Sequence, residues 1–395
     1  MPAQVYAPFP LQRTANAAPA GPAALLVGPF GGGEFGAYES RNLLVGRDGS
    51  YRLLRTVNNT DVIGKDVLLS PDGRYVAGNG GLEGSHSADW GTAVLDLTNG
   101  RVRDYAGGVP VAWMPDGRRL LVAAVTPAER SGGDGWVRLL DLDTGETRNL
   151  FGFADVEVGG LVAPSPDGSR IAAQLGTGLQ VFDLAASQGR KIADIGANRR
   201  LAGPGAWTPN GRIALVELTG CARNCAYPDA SARTFRIVYV DAATGRAVDG
   251  PTFHPVRGID ARVVGWRGNG DAMATVFQPV EPTYPDKPMP TVGGVWPNDG
   301  GWGAENVELV ALHPGGGRTE LVRLPDYASE VDVALDLLSA DRFGGPVPSI
   351  RARLADWLVP WTRRLALIAA VVAAVIAVRR WRSARAYGRY LKSAR

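Results

Sequence analysis

The stretch "LLSPDGRYVA", Leu68 to Ala77, holds two short apolar runs on either side of a Pro-Asp-Gly turn. Proline presets φ at the first turn position, aspartate bonds the backbone ahead of it, and glycine accepts positive φ. The phrase returns as "AWMPDGRRLLVA" from Ala112, "APSPDGSRIAA" from Ala163, "AWTPNGRIALV" from Ala206 and "GWRGNGDAMATV" from Gly265. Its turn glycines are Gly73, Gly117, Gly168, Gly211 and Gly270, spaced by 44, 51, 43 and 59 residues. A second phrase follows each first one: "TAVLDLTNGRVRDY" from Thr92, "WVRLLDLDTGETRNL" from Trp136, "LQVFDLAASQGRKI" from Leu179, "FRIVYVDAATGRAV" from Phe235 and "VELVALHPGGGRTEL" from Val307. Apolar and polar residues alternate loosely along each arm, as half-buried strands require.

Each unit therefore holds four strands. Two hairpins make one small antiparallel sheet that cannot bury both faces alone, and radial stacking of such sheets is a β-propeller. Asp96, Asp141, Asp183 and Asp241 stand shortly before the turn of the second phrase. A turn or inter-strand hydrogen bond is the plain reading of these acids, and metal ligation the alternative. "SPDGRYVA" followed by "VLDLTNG" resembles the WD-repeat-like propellers typified by the TolB periplasmic protein, over roughly Leu25 to Leu338, without the Trp-Asp ending of true WD repeats. The resemblance implies the fold and leaves function open, because such propellers serve many roles.

Five units are complete between Val62 and Pro325. "RNLLVGRDGSYRLLRT", from Arg41, reads as a second phrase without a first, "AALLV" from Ala23 as one strand more, and "EVDVALDLLSADRF" as a lone strand after the last unit. One strand from the C-terminal side and three from the N-terminal side would complete a sixth blade and remove open sheet edges. The expected fold is an all-β, six-bladed propeller, with seven blades as the alternative. The closing strand is expected over Val331 to Leu338, beside Leu43 to Val45. It should end on the face of the short turns, and the chain should leave the disc there.

The tight turns within phrases lie on one face of such a disc, and the connections between phrases on the other. Four of the five full blades carry long between-phrase connections, running over residues 78–91, 126–135, 219–233 and 278–305. The longest is rich in Pro and Gly and holds Tyr284, Trp296 and Trp302; the first holds Trp90. These aromatic residues are the candidate partner contacts, since rigid rings bury area at low entropic cost. Packing onto the disc rim is the plain alternative.

Gly 52 and Pro 28 make about a fifth of the chain, and 45% apolar content fits a folded, turn-rich β protein. The net charge of +3 divides unevenly: the stretch from Arg351 carries ten Arg and one Lys against Asp356, so the first 350 residues are acidic. An acidic body lacks the electrostatic footprint of a nucleic-acid binder. Within the basic stretch, Leu365 to Val378 is free of charge. Its length as a helix is about 21 Å, so flanking residues must help it reach the roughly 30 Å of a bilayer core. A transmembrane helix is expected over 361–381, with the positive charges after it placing the tail in the cytoplasm and the propeller outside. The expected organisation is an irregular segment over 1–22, the propeller over 23–342, a linker over 343–360, the helix, and a basic cytoplasmic tail over 382–395. "MPAQVYAPFPLQRTANAAP" lacks the features of an export signal, so either the true start lies upstream, which the expected disulfide and the charge bias favour, or the protein is tail-anchored with a cytoplasmic propeller.

Cys221 and Cys225, in "CARNC", are the only cysteines, a poor zinc set with three His in the whole chain. A small disulfide loop is expected, and it implies an oxidising compartment. His86, His254 and His313 are the only imidazoles, no G-x-S-x-G elbow is present, and "GSHSADW" is no triad by sequence neighbourhood alone. No catalytic, metal or cofactor residue is assigned. Two functions follow: a membrane-tethered binding or scaffold module for a protein or cell-envelope ligand, or a propeller hydrolase or lyase acting on an envelope polymer. Acidic or polar residues converging on the axis would favour the enzyme, and a dry aromatic loop face the binder.

Overall fold

The structure, a computed structural model, describes residues 1–8, 12–30, 39–57, 67–79, 82, 91–106, 108–124, 134–154, 162–219, 233–279, 304–325, 328, 330–345 and 365–382. The chain divides into two compact units, Met1–Pro8 with Arg13–Val347, and Phe9–Gln12 with Pro348–Arg395. Among its described residues the first unit is all-β apart from one short helix, and its strands form six antiparallel sheets.

The first full blade is β4 (Val67–Leu69), β5 (Tyr75–Asn79), β6 (Thr92–Asp96) and β7 (Arg101–Tyr105), paired in chain order. The next are β8 (Val109–Trp113) to β11 (Thr147–Ala154) through β9 (Arg119–Ala124) and β10 (Asp134–Asp141), then β12 (Val162–Pro164), β13 (Arg170–Leu175), β14 (Gly178–Asp183) and β15 (Gln188–Asp194). The fourth is β16 (Arg199–Leu201), β17 (Arg212–Thr219), β18 (Thr234–Asp241) and β19 (Ala247–Val248), with β20 (Val256–Arg257) added beside β18. The fifth is β21 (Asp260–Trp266), β22 (Ala272–Pro279), β23 (Ala304–Leu312) and β24 (Arg318–Val322). The sixth joins β25 (Glu330–Val333) to β1 (Ala23–Phe30), β2 (Glu39–Gly46) and β3 (Tyr51–Val57). Six blades are thus present, and one C-terminal strand with three N-terminal strands closes the ring.

Two details of the closure differ from the sequence expectation. The closing strand pairs with Leu25 to Gly28, not beside Leu43 to Val45, which form the next strand outward in the same blade. It also stops at Val333, and α1 (Leu335–Ser339) follows. The period-two pattern of "VDVALDL" continues past the strand, but Leu337 and Leu338 are both buried. Adjacent inward side chains suit a helical turn and not a strand. Beyond α1 the chain doubles back beside the N-terminal segment. The Ala3 N–H donates to Gly345 O at 3.1 Å, the Gly345 N–H to Met1 O at 2.7 Å, and the Val5 N–H to Arg323 O at 2.8 Å. Both bridges, Pro2–Gly345 and Gln4–Arg323, are parallel. Arg323 follows the end of β24, the end from which the next inner strand begins. At Gly345 the chain therefore runs away from the short-turn face, where the sequence reading expects it to leave.

The repeated phrase has a repeated chemistry. At the first turn, Ser70 Oγ donates to Asp72 Oδ1 at 2.6 Å, the Arg74 N–H donates to the same oxygen, and the Tyr75 N–H donates back to Ser70 Oγ. Ser165, Asp167, Ser169 and Arg170 repeat the arrangement. In the second phrase, Asp96, Asp141, Asp183 and Asp241 accept backbone N–H groups two or three residues ahead, at 2.7 to 3.1 Å. These acids are turn caps, as their plain reading holds. Trp113, Trp207 and Trp266, from the first phrase, donate their indole N–H to Leu68 O, Ala163 O and Gly205 O of the blade before. The recurring tryptophan is thus a tie between blades.

The turns carry a pH consequence. The Ser165 hydroxyl, with the Ser169 N–H and hydroxyl, lowers the Asp167 pKa from 3.8 to about 2. A carboxylate favoured in the folded state contributes stability that is present above its unfolded value and lost as pH falls through the folded one. Acid titration followed by tryptophan fluorescence should show stability declining between pH 4 and 2, and Asp167→Asn should flatten that slope. An unchanged slope would place the acid sensitivity elsewhere.

Candidate functional site

The first strands of neighbouring blades touch one another: β4 meets β8, β8 meets β12, and β25 meets β4. They therefore surround the axis, where blades of a propeller converge. Three of them, β4, β8 and β12, contain no charged residue. The other three begin with charge: "RRL" in β16, "DAR" in β21 and "EVD" in β25. Each first strand is entered from the long-connection face, so Arg200, Asp260, Arg262 and Glu330 gather at that end of the axis.

The gathering is a bonded network. Asp260 divides its oxygens between two guanidiniums, Oδ1 accepting from Arg200 Nη2 and Oδ2 from Arg262 Nε at 3.3 Å. Oδ1 also accepts the Ala261 N–H at 2.7 Å. Arg200 Nη2 donates again to Ala261 O at 2.9 Å, and Arg262 Nη1 lies 3.6 Å from Glu330 Oε1. Arg262 also covers the Phe277 ring, 5.1 Å from its centre. Arg233, just before β18, donates to Ile259 O at 3.5 Å. The Arg200, Asp260 and Arg262 side chains are 5 to 7% exposed, and Glu330 is 20% exposed. Burial, then the positive charges of Arg262 and Arg233, hold the Arg200 guanidinium well below its usual range. Below Glu330 on the same strand, Asp332 Oδ2 accepts the Leu69 N–H at 3.0 Å and ties the closing strand to the first full blade. Guanidinium forks in a water-poor setting suit the recognition of carboxylates and phosphates.

A second polar cluster lies at the short-turn end of the fifth blade. His313 Nδ1 is 3.1 Å from Asp271 Oδ1, and His313 Nε2 is 2.8 Å from Thr319 Oγ1. Asn269 Nδ2 also donates to Asp271, and Arg267 bridges Asp271 and Asp341. The contacts follow the order of a hydrolase relay, but Thr319 is a paired residue of β24 opposite Ala311. The cluster joins two turns of one blade to the segment after α1, a structural role.

The sequence-predicted contact residues Trp90, Tyr284, Trp296 and Trp302 lie outside the described residues, as do His86 and the cysteines of the expected disulfide, Cys221 and Cys225. Among the described residues no group of three or more His, Cys, Asp and Glu could hold a metal ion. In the second unit, α2 covers residues 365–382 and exposes Leu365, Ile368, Val372 and Ile376. The finer expectation of a transmembrane helix over 361–381 finds no support in it. No helix among the described residues is long and apolar enough to cross a membrane, because the charge-free run stops at Val378 and Arg379, Arg380 and Arg382 complete the helix.

No family model and no curated protein matches the chain. Among solved structures it is similar to TolB from Acinetobacter baumannii, at 16% identity over 65% of this chain and 61% of that one, with a TM-score of 0.36. The β-propeller domain of the Trilobed protease from Pyrococcus furiosus matches at 10% identity over 65% and 70%, with a TM-score of 0.38. An oligogalacturonate lyase from Vibrio parahaemolyticus matches at 12% identity over 76% and 79%, with a TM-score of 0.41. The chain spans about three fifths of the Acinetobacter protein. These likenesses concern the propeller alone, and the chain's own six sheets establish it.

Proposed function

We propose that the chain is a membrane-associated propeller that binds a protein or cell-envelope ligand at the long-connection end of its axis, without transforming it. The observation that carries this reading is that Arg200, Asp260, Arg262 and Glu330, gathered at that end, are engaged with one another. Asp260 supports binding over catalysis: its oxygens are engaged by two guanidiniums and a backbone N–H, whereas a general acid or base needs a lone pair or proton turned to the substrate. The long connections with Trp90, Tyr284, Trp296 and Trp302 frame the ligand. The apolar surface of α2, exposed all round the helix, and the arginines at its end attach the chain to anionic lipid. The propeller lies on the outer side of that membrane, where Cys221–Cys225 is oxidised. The second reading, cleavage of an envelope polymer, is favoured by the same convergence of polar groups on the axis.

Photo-crosslinking in native membranes tests the reading. A crosslinking residue at Thr219, the connection-face end of β17, should capture an envelope component, and one at Val372 should capture lipid. The same group at Asp143, in a short turn, should capture neither. Equal capture at Thr219 and Asp143 would remove the assigned face, and turnover of an envelope polymer by the purified chain would establish the second reading.

A further inference from the structure

The axial network also points to the chemistry of its ligand, an inference that rests on the binding reading. Three arginines, Arg200, Arg233 and Arg262, are each buried at this one spot. Two of them already hold one carboxylate between them, one oxygen each. The site is thus shaped to seat an oxyanion across two guanidinium forks. The two carboxylates differ in exposure and in the distance to their guanidinium partners. Asp260 is 7% exposed and accepts from Arg200, Arg262 and its neighbour's N–H. Glu330 meets Arg262 at 3.6 Å, the longer contact, and is 20% exposed, the most open carboxylate of the network. The first strands of the other three blades begin with Val67, Val109 and Val162 and carry no charge within the strands themselves.

We propose that the long-connection end of the axis binds an oxyanionic group, carboxylate or phosphate, which takes the place of Glu330 on Arg262 while Asp260 stays fixed between Arg200 and Arg262. Glu330 then acts as an internal occupant that holds the site until a ligand displaces it. Arg233 adds charge from the fourth blade, beside Ile259.

The test uses the full chain titrated with citrate and with pyrophosphate, ionic strength held constant with sodium chloride, and follows heat and melting temperature. The wild type should bind at least one of them saturably. Glu330→Gln should bind about fivefold more tightly, because the internal competitor loses its charge, and Arg233→Gln about fivefold more weakly. A purely structural tie between blades cannot produce the gain in Glu330→Gln. Citrate alone would mark a carboxylate ligand, pyrophosphate alone a phosphate ligand, and either supports the site. No saturable binding by wild type and Glu330→Gln, or equal affinity in all three chains, overturns it; melting without ligand shows that each variant is folded. Capture at Thr219 without oxyanion binding would leave the binding module standing and remove this inference. Oxyanion binding without capture would keep the site and remove the macromolecular ligand.

Discussion

An Asp260→Ala chain is expected to lose about 3–5 kcal/mol of stability, the usual cost of removing one member of a buried ion pair. Asp260 is set between Arg200 and Arg262, at the junction of the fourth and fifth blades. Without it the two guanidiniums face each other across a space vacated by their counter-charge, with Arg233 nearby. Water must enter, or the inner strands must part. Chemical denaturation of the full chain, followed by tryptophan fluorescence, should show a large drop in midpoint. Arg118→Ala is the control, because the Arg118–Asp143 pair is 66% and 63% exposed, and exposed pairs contribute little. If both variants unfold near the wild-type midpoint, the axial network is solvated and cannot hold a desolvated ligand.

Gly73→Ala and Gly211→Ala should differ sharply, although they alter the same turn of the same repeated phrase. Both glycines have positive φ, +70° and +74°. That conformation alone costs an L-residue about 1–2 kcal/mol, and Gly211→Ala should cost little more, since its added methyl meets nothing within 4 Å. At Gly73 the methyl would stand 2.0 Å from the carbonyl oxygen of Ala23. The Ala23 N–H donates to Gly73 O at 2.7 Å, so this turn is bonded to β1, the second strand of the closing blade. It cannot withdraw without opening that seam. The cost should exceed about 3 kcal/mol once overpacking is added to backbone strain, read as a lower melting temperature. Equal losses at the two sites would show that the seam yields.

The propeller was legible because the same turn chemistry is written five times, and each copy states its hairpin locally. The closing blade was legible in its strand count but not in its pairing. Whether Val331 lies beside Val27 or Leu43 depends on the order of three N-terminal strands, which alternation alone does not set. The helix after Val333 was hidden by an alternating pattern that tertiary burial of Leu337 and Leu338 overrules. The axial network was not read at all. Arg200, Asp260 and Glu330 are far apart in the chain, and each alone resembles a solvated surface charge. A faint signal existed in the first strands: aligned by repeat, "RRL", "DARVV" and "EVDV" are charged where "VLL", "VPVAW" and "VAP" are not. The aromatic loop residues illustrate the opposite case, prominent in sequence yet outside the described residues.

The bond between Val27 and Val331 has a consequence for how the chain is made. The two residues that complete the ring are about 300 positions apart. At a synthesis rate of about 5–20 residues per second, the first strand waits on the order of 15–60 s for its partner. Throughout that interval β1 presents an open edge to any other strand, including the same strand on a neighbouring nascent chain. The slowest and most error-prone moment in the life of this protein is therefore expected between the birth of its first blade and the arrival of its last strand, and a chaperone that shields β1 would raise its yield more than one acting after release.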